Sequence, residues 1–187
     1  MSTVTPGALH ARRELLYGAA LALGGLALRP RALRAQAPAA GEITRTGEAI
    51  HQEREFTAPR QRVYRALTDP VQFAKVTELS GVMQNAAMAK MRSPTAISGE
   101  PGGAFTLFGG YIVGWQLELV PDERIVQAWR VIGWAPGVYS VARFALGGAA
   151  GTTRLVFDHE AFPGGQAEHL ASGWQEHYWG PLARFLA

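Results

Sequence analysis

The closing segment, residues 165–187 (GQAEHLASGWQEHYWGPLARFLA), decides the fold. Ala167, Leu170, Trp174, His177, Tyr178, Pro181, Leu182 and Phe185 recur at three- and four-residue spacing, so a helix gathers them on one broad apolar stripe. Pro181 brings no amide hydrogen, and the helix is expected to kink there. Upstream, from Pro94 onward, short apolar runs alternate with Gly99-Glu100-Pro101-Gly102-Gly103, Gly109-Gly110, Pro121-Asp122-Glu123, Ala135-Pro136-Gly137 and Gly147-Gly148-Ala149-Ala150-Gly151. Connections this short make hairpins, so the strands are antiparallel. Ahead of them, residues 48–57 alternate as a strand, and Ala58-Pro59 opens a helix with Val63, Ala66 and Leu67 on one face. Asp69 caps, and Pro70 starts, a second helix running to about Val76. The order is β-α-α-β(5–6)-α, an α+β fold. An antiparallel sheet must cover its apolar face, and only the terminal helix is long enough to do so. The sheet is therefore expected to curve around that helix.

The first 39 residues carry a different message. Arg12-Arg13 stand before Glu14 and an apolar run from Leu15 to Leu28, the arrangement of a twin-arginine export signal. That run falls short of the roughly 20 apolar residues a membrane-spanning helix needs, so a removable signal is expected and no stable membrane anchor. Arg29, Arg31 and Arg34 follow it, and Ala37-Pro38-Ala39 supplies small residues for cleavage after Ala39. Residues 1–39 are thus read as signal, 40–47 as a polar tether and 48–187 as one domain, periplasmic or otherwise extracytoplasmic. The twin-arginine translocase is the partner this implies. The chain has 18 basic and 15 acidic residues, and the signal holds five arginines and one glutamate, which leaves 13 against 14, a net −1, for the remainder. No basic surface remains to meet nucleic acid. Without cysteine there is no disulfide, thiolate metal site or cysteine nucleophile.

Several stretches together carry a resemblance. They are Phe56-Thr57-Ala58-Pro59, Val63-Tyr64-Arg65-Ala66-Leu67-Thr68-Asp69-Pro70, Gly102-Gly103-Ala104-Phe105, Gly114-Trp115-Gln116-Leu117-Glu118-Leu119-Val120-Pro121, Ile125-Val126-Gln127-Ala128-Trp129-Arg130, Thr153-Arg154-Leu155-Val156-Phe157-Asp158-His159 and Gly173-Trp174. Residues 48–187 resemble the START-like SRPBCC superfamily, and within it are most similar to the C-terminal domain of activators of the 90-kDa heat-shock protein ATPase. The resemblance implies a helix-grip fold, in which the sheet wraps the long C-terminal helix and often leaves a cavity between them. It does not by itself assign a function, because the fold hosts lipid carriers, aromatic cyclases and partner-binding domains. The chaperone those activators serve is cytosolic, whereas this chain carries an export signal.

Alternation along the strands marks a candidate lining. On residues 111–119 the odd positions Tyr111, Val113, Trp115, Leu117 and Leu119 are apolar and are expected to face the helix. Ile125, Gln127, Trp129 and Val131 follow on the next strand, then Ser140, Ala142, Phe144 and Leu146, then Leu155, Phe157 and His159. With Trp174 and Tyr178 from the helix, the candidate ligand-binding set is Trp115, Gln127, Trp129, Phe144, Phe157, His159, Trp174 and Tyr178. Such a face suits either a filled core or a cavity for a small hydrophobic or aromatic molecule. His159 is the one candidate acid or base, read either as a satisfied core histidine or as a general base.

Other chemistry is sparse. The sequence has no His-Glu-x-x-His, nucleophile elbow or phosphate loop, and no cofactor or metal is expected. Met83, Met88 and Met91 are read as part of a short helix, residues 82–91, packing as an adaptable lid. Three readings follow. The favoured one is an exported, non-enzymatic binding protein for a small hydrophobic or aromatic ligand. The others are a partner-binding, chaperone-assisting domain and a cyclase-like enzyme using His159.

Overall fold

The structure, a computed structural model, describes residues 48–83 and 94–187. The signal, the tether and the lid residues from 84 onward therefore lie outside the described residues. Strand β1 (Ala49–Phe56) leads into helices α1 (Arg60–Thr68) and α2 (Pro70–Glu78). Six strands follow: β2 (Ala96–Ile97), β3 (Ala104–Leu107), β4 (Ile112–Val120), β5 (Arg124–Val131), β6 (Ser140–Gly147) and β7 (Thr153–Glu160). All neighbours are antiparallel in the order β1-β7-β6-β5-β4-β3-β2. The closing helix comprises α3 (Ala167–Trp174), a π segment (Gln175–Trp179) and α4 (Gly180–Leu186).

Local chemistry explains the helix starts. The Asp69 carboxylate accepts from the amides of Val71 (3.0 Å) and Gln72 (2.9 Å), and Pro70 occupies a first-turn position where no amide is missed. α1 buries Val63, Ala66 and Leu67, the face read from the sequence.

On β5, β6 and β7 the inward residues match the alternation: Ile125, Gln127, Trp129, Ala142, Phe144, Leu155, Phe157 and His159 are all buried. β4 corrects it. Gln116 pairs with Gln127 and Glu118 with Val126, so Leu117 is an extra residue that bulges from the ladder and reverses the phase. Before the bulge the inward residues are Ile112, Gly114 and Gln116, and Trp115 is turned outward with 43% of its surface exposed, against Tyr139 (ring centroids 4.9 Å). Tyr111 and Leu117 are exposed too. Two contacts hold this register. A Cβ on Gly114 would stand 2.3 Å from the Phe105 ring, which fills the space a side chain would take. Gln116 is wholly buried because its carbonyl accepts from Gln127 Nε2 (3.2 Å) and its amide donates to the Ser98 carbonyl (3.1 Å).

The closing helix also departs from the simple stripe. The Gly180 amide donates to the Gln175 carbonyl, five residues back, and this wider turn makes room for the Pro181 ring, which would otherwise press on the carbonyl four residues before it. One residue is thereby inserted into the stripe. Trp179 and Leu186 join the core, while His177 and Phe185 are only half-buried. Trp174 sits at the centre, with Phe157 at 4.3 Å, Tyr178 at 4.2 Å and Trp179 stacked at 5.6 Å.

Candidate functional site

Along one flank of the closing helix the packing stops short of the sheet. A cleft of about 320 Å³ lies between α3, the π segment, β4, β5 and the turn at Phe108–Gly110. Trp129 and Val131 enter it from β5, Ile112 from β4, and Leu170, Trp174 and Tyr178 from the helix. His169, Ser172 and Glu176 are exposed at its mouth. Gly173 faces the cleft as well, and a Cβ there would meet nothing nearer than His177 Cδ2 at 4.0 Å. A bulkier residue at this turn of the helix would take up the space.

Phe108 has φ +50, and Gly109 and Gly110, at +69 and +92, carry the chain through the same left-handed turn. A non-glycine residue in that region costs on the order of 1 kcal/mol or more. Edge-on contacts with Tyr178 (5.9 Å) and His177 (6.0 Å) hold the buried Phe108 ring in place.

Behind the cleft runs a fully paired chain of polar groups. The Trp174 indole donates to His159 Nδ1 (3.0 Å), His159 Nε2 lies 2.7 Å from Ser140 Oγ, and Ser140 donates to the Trp129 carbonyl (2.9 Å). Indole nitrogen can only donate, so Nδ1 accepts and the ring proton is assigned to Nε2. His159 is thus neutral, and burial pushes its pKa down to about 3. Both nitrogens are committed within the protein, and His159 does not line the cleft. His177 does. Its Nδ1 meets Ser80 Oγ at 3.1 Å, and partial burial lowers its pKa.

Polar groups on the cleft wall itself are less well served. The Trp129 indole nitrogen and the Tyr178 hydroxyl are buried without a hydrogen-bond partner among the described residues. Burial raises the Tyr178 pKa well above its ordinary value, and the nearby Trp129 N–H offsets part of that rise.

The cleft brings together three residues of the sequence-based set: Trp129, Trp174 and Tyr178. Phe144 and Phe157 pack beside Trp174 in the core, His159 stands behind it, and Gln127 pairs with Gln116 away from the cleft. Trp115 lies on the opposite face of the sheet. Phe108, Ile112 and Gly173 were absent from that set. Gly109-Gly110 signalled a tight turn, but nothing local showed that it pins an aromatic ring inward. Among the described residues no group of three His, Asp or Glu side chains is placed to hold a metal ion, and no helix is long and apolar enough to cross a membrane.

The family model described as "Activator of Hsp90 ATPase homolog 1-like protein" matches residues 57–187. The chain belongs to this family. A protein of Schizosaccharomyces pombe is 30% identical over 133 residues, covering 71% of this chain and 35% of that protein. "Activator of 90 kDa heat shock protein ATPase homolog 1" of Homo sapiens is 27% identical over 112 residues, covering 60% of this chain and 32% of its own length. The chain thus spans about a third of the length of these curated relatives. Among solved structures, an HSP90 activator from Plasmodium falciparum superposes with a TM-score of 0.63 at 24% identity, covering 75% of this chain and 96% of that one. CalU16 from Micromonospora echinospora superposes at 0.58 and 20% identity, covering 75% and 77%. At such identities the structural likeness establishes the helix-grip fold alone. The family match covers α1 to α4 and so includes the cleft walls.

Proposed function

We propose that this domain is a non-enzymatic binding protein for a small, flat, mostly apolar molecule, held in the cleft between the closing helix and β4–β5 and carried outside the cytoplasm by the twin-arginine route. The observation that carries the reading is the cleft itself. Its volume of about 320 Å³ lies at the small end of the roughly 300 to 1,000 Å³ typical of small-molecule sites, and its walls are aromatic with few polar points. An aromatic ligand of two or three rings suits that space. His159 has no free nitrogen to offer it, which counts against the cyclase-like alternative.

The test uses the neutral dye N-phenyl-1-naphthylamine, whose fluorescence rises in apolar surroundings. The wild type is expected to bind it saturably at micromolar concentration, about −8 kcal/mol. Gly173→Leu puts a branched side chain into the cleft and should weaken binding at least tenfold. The same change replaces a helical glycine and removes about 1 kcal/mol of intrinsic helix penalty, so the melting temperature should hold or rise by a few degrees. Undiminished dye binding by a folded Gly173→Leu protein would place the ligand elsewhere.

One observation favours a second reading, a protein partner of the kind named for the heat-shock ATPase activators. The outer face of β4 exposes Trp115 and Leu117, an apolar strip of the sort that marks contact surfaces. The same titration separates the two. A wild type that binds no dye leaves that strip as the functional surface.

A further inference from the structure

The walls of the cleft are apolar, but its mouth is not, and one side chain there is held firmly in place. His177 is fixed from three sides. The Phe108 ring meets it edge-on, Ser80 Oγ lies 3.1 Å from Nδ1, and Cδ2 is turned toward Gly173 and the open space beside it. Ser80, just past the end of α2, is wholly buried, and among the described residues its hydroxyl has His177 Nδ1 as its one partner. A buried hydroxyl proton with no acceptor is costly, so the Ser80 O–H donates to Nδ1 and the ring proton is assigned to Nε2. In an imidazole the Cδ2–Nε2 edge lies opposite Nδ1. The protonated nitrogen is therefore on the side of the ring that faces Gly173 and the cleft, on a half-buried residue, and it meets no partner among the described residues. Next to it in the chain, Glu176 also lines the mouth, its carboxylate accepting from Ser172 Oγ (3.0 Å). The Glu176 charge reaches His177 and raises its pKa, but burial outweighs it and the ring stays neutral at pH 7.

Resting on the cleft-binding reading above, we infer that the ligand is a ring system with a hydroxyl at one end, seated at the cleft mouth, where the hydroxyl accepts from His177 Nε2–H and donates to the Glu176 carboxylate. The mouth offers a donor and an acceptor on successive residues of one helix, and a hydroxyl is the small neutral group that has both a proton to give and lone pairs to receive one. A ligand carbonyl would satisfy His177 alone. A ligand carboxylate would also meet His177, but it would set a second negative charge beside Glu176. The apolar remainder of the molecule lies against Trp129, Trp174 and Ile112, so the class is a phenol or naphthol with its polar end outward. Ser80 is a positioning residue. It does not line the cleft, yet its hydrogen bond decides which imidazole nitrogen carries the proton, and so makes His177 a donor before a ligand arrives.

Three probes test this by equilibrium dialysis against the protein at pH 7.5: 2-naphthol, which accepts and donates, 2-methoxynaphthalene, which only accepts, and 2-ethylnaphthalene, which does neither. The readout is the change each variant makes to each probe, so that the different costs of taking the probes out of water cancel. His177→Phe removes the donor and keeps an aromatic ring; it should weaken naphthol and methoxynaphthalene by about fivefold each, the scale of one hydrogen bond, and leave ethylnaphthalene within about twofold. Glu176→Ala removes the acceptor at an exposed position, where the fold is not at risk; it should weaken naphthol by about fivefold and leave the other two probes within about twofold. Long-range proton–nitrogen NMR should show His177 with Nδ1 bare and Nε2 protonated in the wild type, and both tautomers in Ser80→Ala. Naphthol binding unchanged in either His177→Phe or Glu176→Ala, an equal loss for all three probes in either, or a wild-type ring protonated on Nδ1 overturns the inference while leaving the cleft as a binding site. No saturable binding of any probe to the wild type overturns both.

Discussion

Acidification from pH 7.5 to 4.5 tests whether His159 is held as a neutral ring inside the fold. In the unfolded chain its imidazole titrates near the ordinary 6.5, and in the folded protein burial holds its pKa down to about 3. Between those values the unfolded state binds the proton and the folded state does not. Stability is therefore at its full value above pH 6.5 and is lost as pH falls toward 3, at up to about 1.4 kcal/mol per pH unit. By pH 4.5 the loss should reach about 2.5 kcal/mol, a large share of a small domain's roughly 5 to 15 kcal/mol. The assay is urea denaturation at four pH values, where that loss lowers the midpoint by about 1 M. Other histidines contribute. His177 is also depressed and acts in the same direction, whereas hydrogen bonds to Asp158 and Glu53 raise the pKa of exposed His51, which opposes it. His159→Gln leaves both in place. Its difference from the wild type isolates His159, and the slope of that difference is the readout, because losing the imidazole also shifts the level at every pH. The carboxylates with lowered pKa, Glu48, Glu53 and Glu118, begin to cost stability as pH nears the 4.5 at which they titrate in the unfolded chain, but they are present in both proteins and cancel in the difference. Identical pH dependence in the wild type and His159→Gln would refute the reasoning and mean that the ring takes up a proton in place.

Further outcomes follow from the sheet and the leader. Gly114→Ala places a Cβ 2.0 Å from the Ala128 carbonyl and 2.3 Å from the Phe105 ring, and should destabilise by about 3 kcal/mol or more; a thermal melt within a degree of the wild type would show that the β3–β4–β5 register is not held as described. Replacing Arg12 and Arg13 together by lysine should leave unprocessed precursor in the cytoplasm, since the translocase receptor reads the guanidinium pair; normal processing on an immunoblot of the fractionated cells would remove the export reading.

The residues that the sequence placed correctly share one property: their position follows from a short-range rule alone. On β5 and β7 every second residue is large or apolar, the ladder is unbroken, and Trp129, Phe157 and His159 fall inward as a period of two requires. On β4 the same rule fails because the odd residues Tyr111, Val113 and Leu117 look more apolar than Gly114 and Gln116. What turns the even set inward is distant in sequence: the Phe105 ring over Gly114, and the amide contacts of Gln116 with Gln127 and Ser98. The helix shows a milder version. Pro181 announces a disturbance, but only the structure shows that it takes the form of one extra residue, which carries Trp179 into the core. The cleft is the least legible feature for a related reason. Pattern reading finds large side chains, and so it found Trp129, Trp174 and Tyr178 as walls. The space between them depends on a residue that contributes nothing to the pattern, Gly173, and on a strained turn that fixes Phe108 at its edge. A hydrophobic stripe with a glycine beside its tryptophan is therefore ambiguous in sequence. Helix propensity alone would favour alanine at position 173 by about 1 kcal/mol, and a glycine facing open space there is one of the features the cleft-binding proposal rests on.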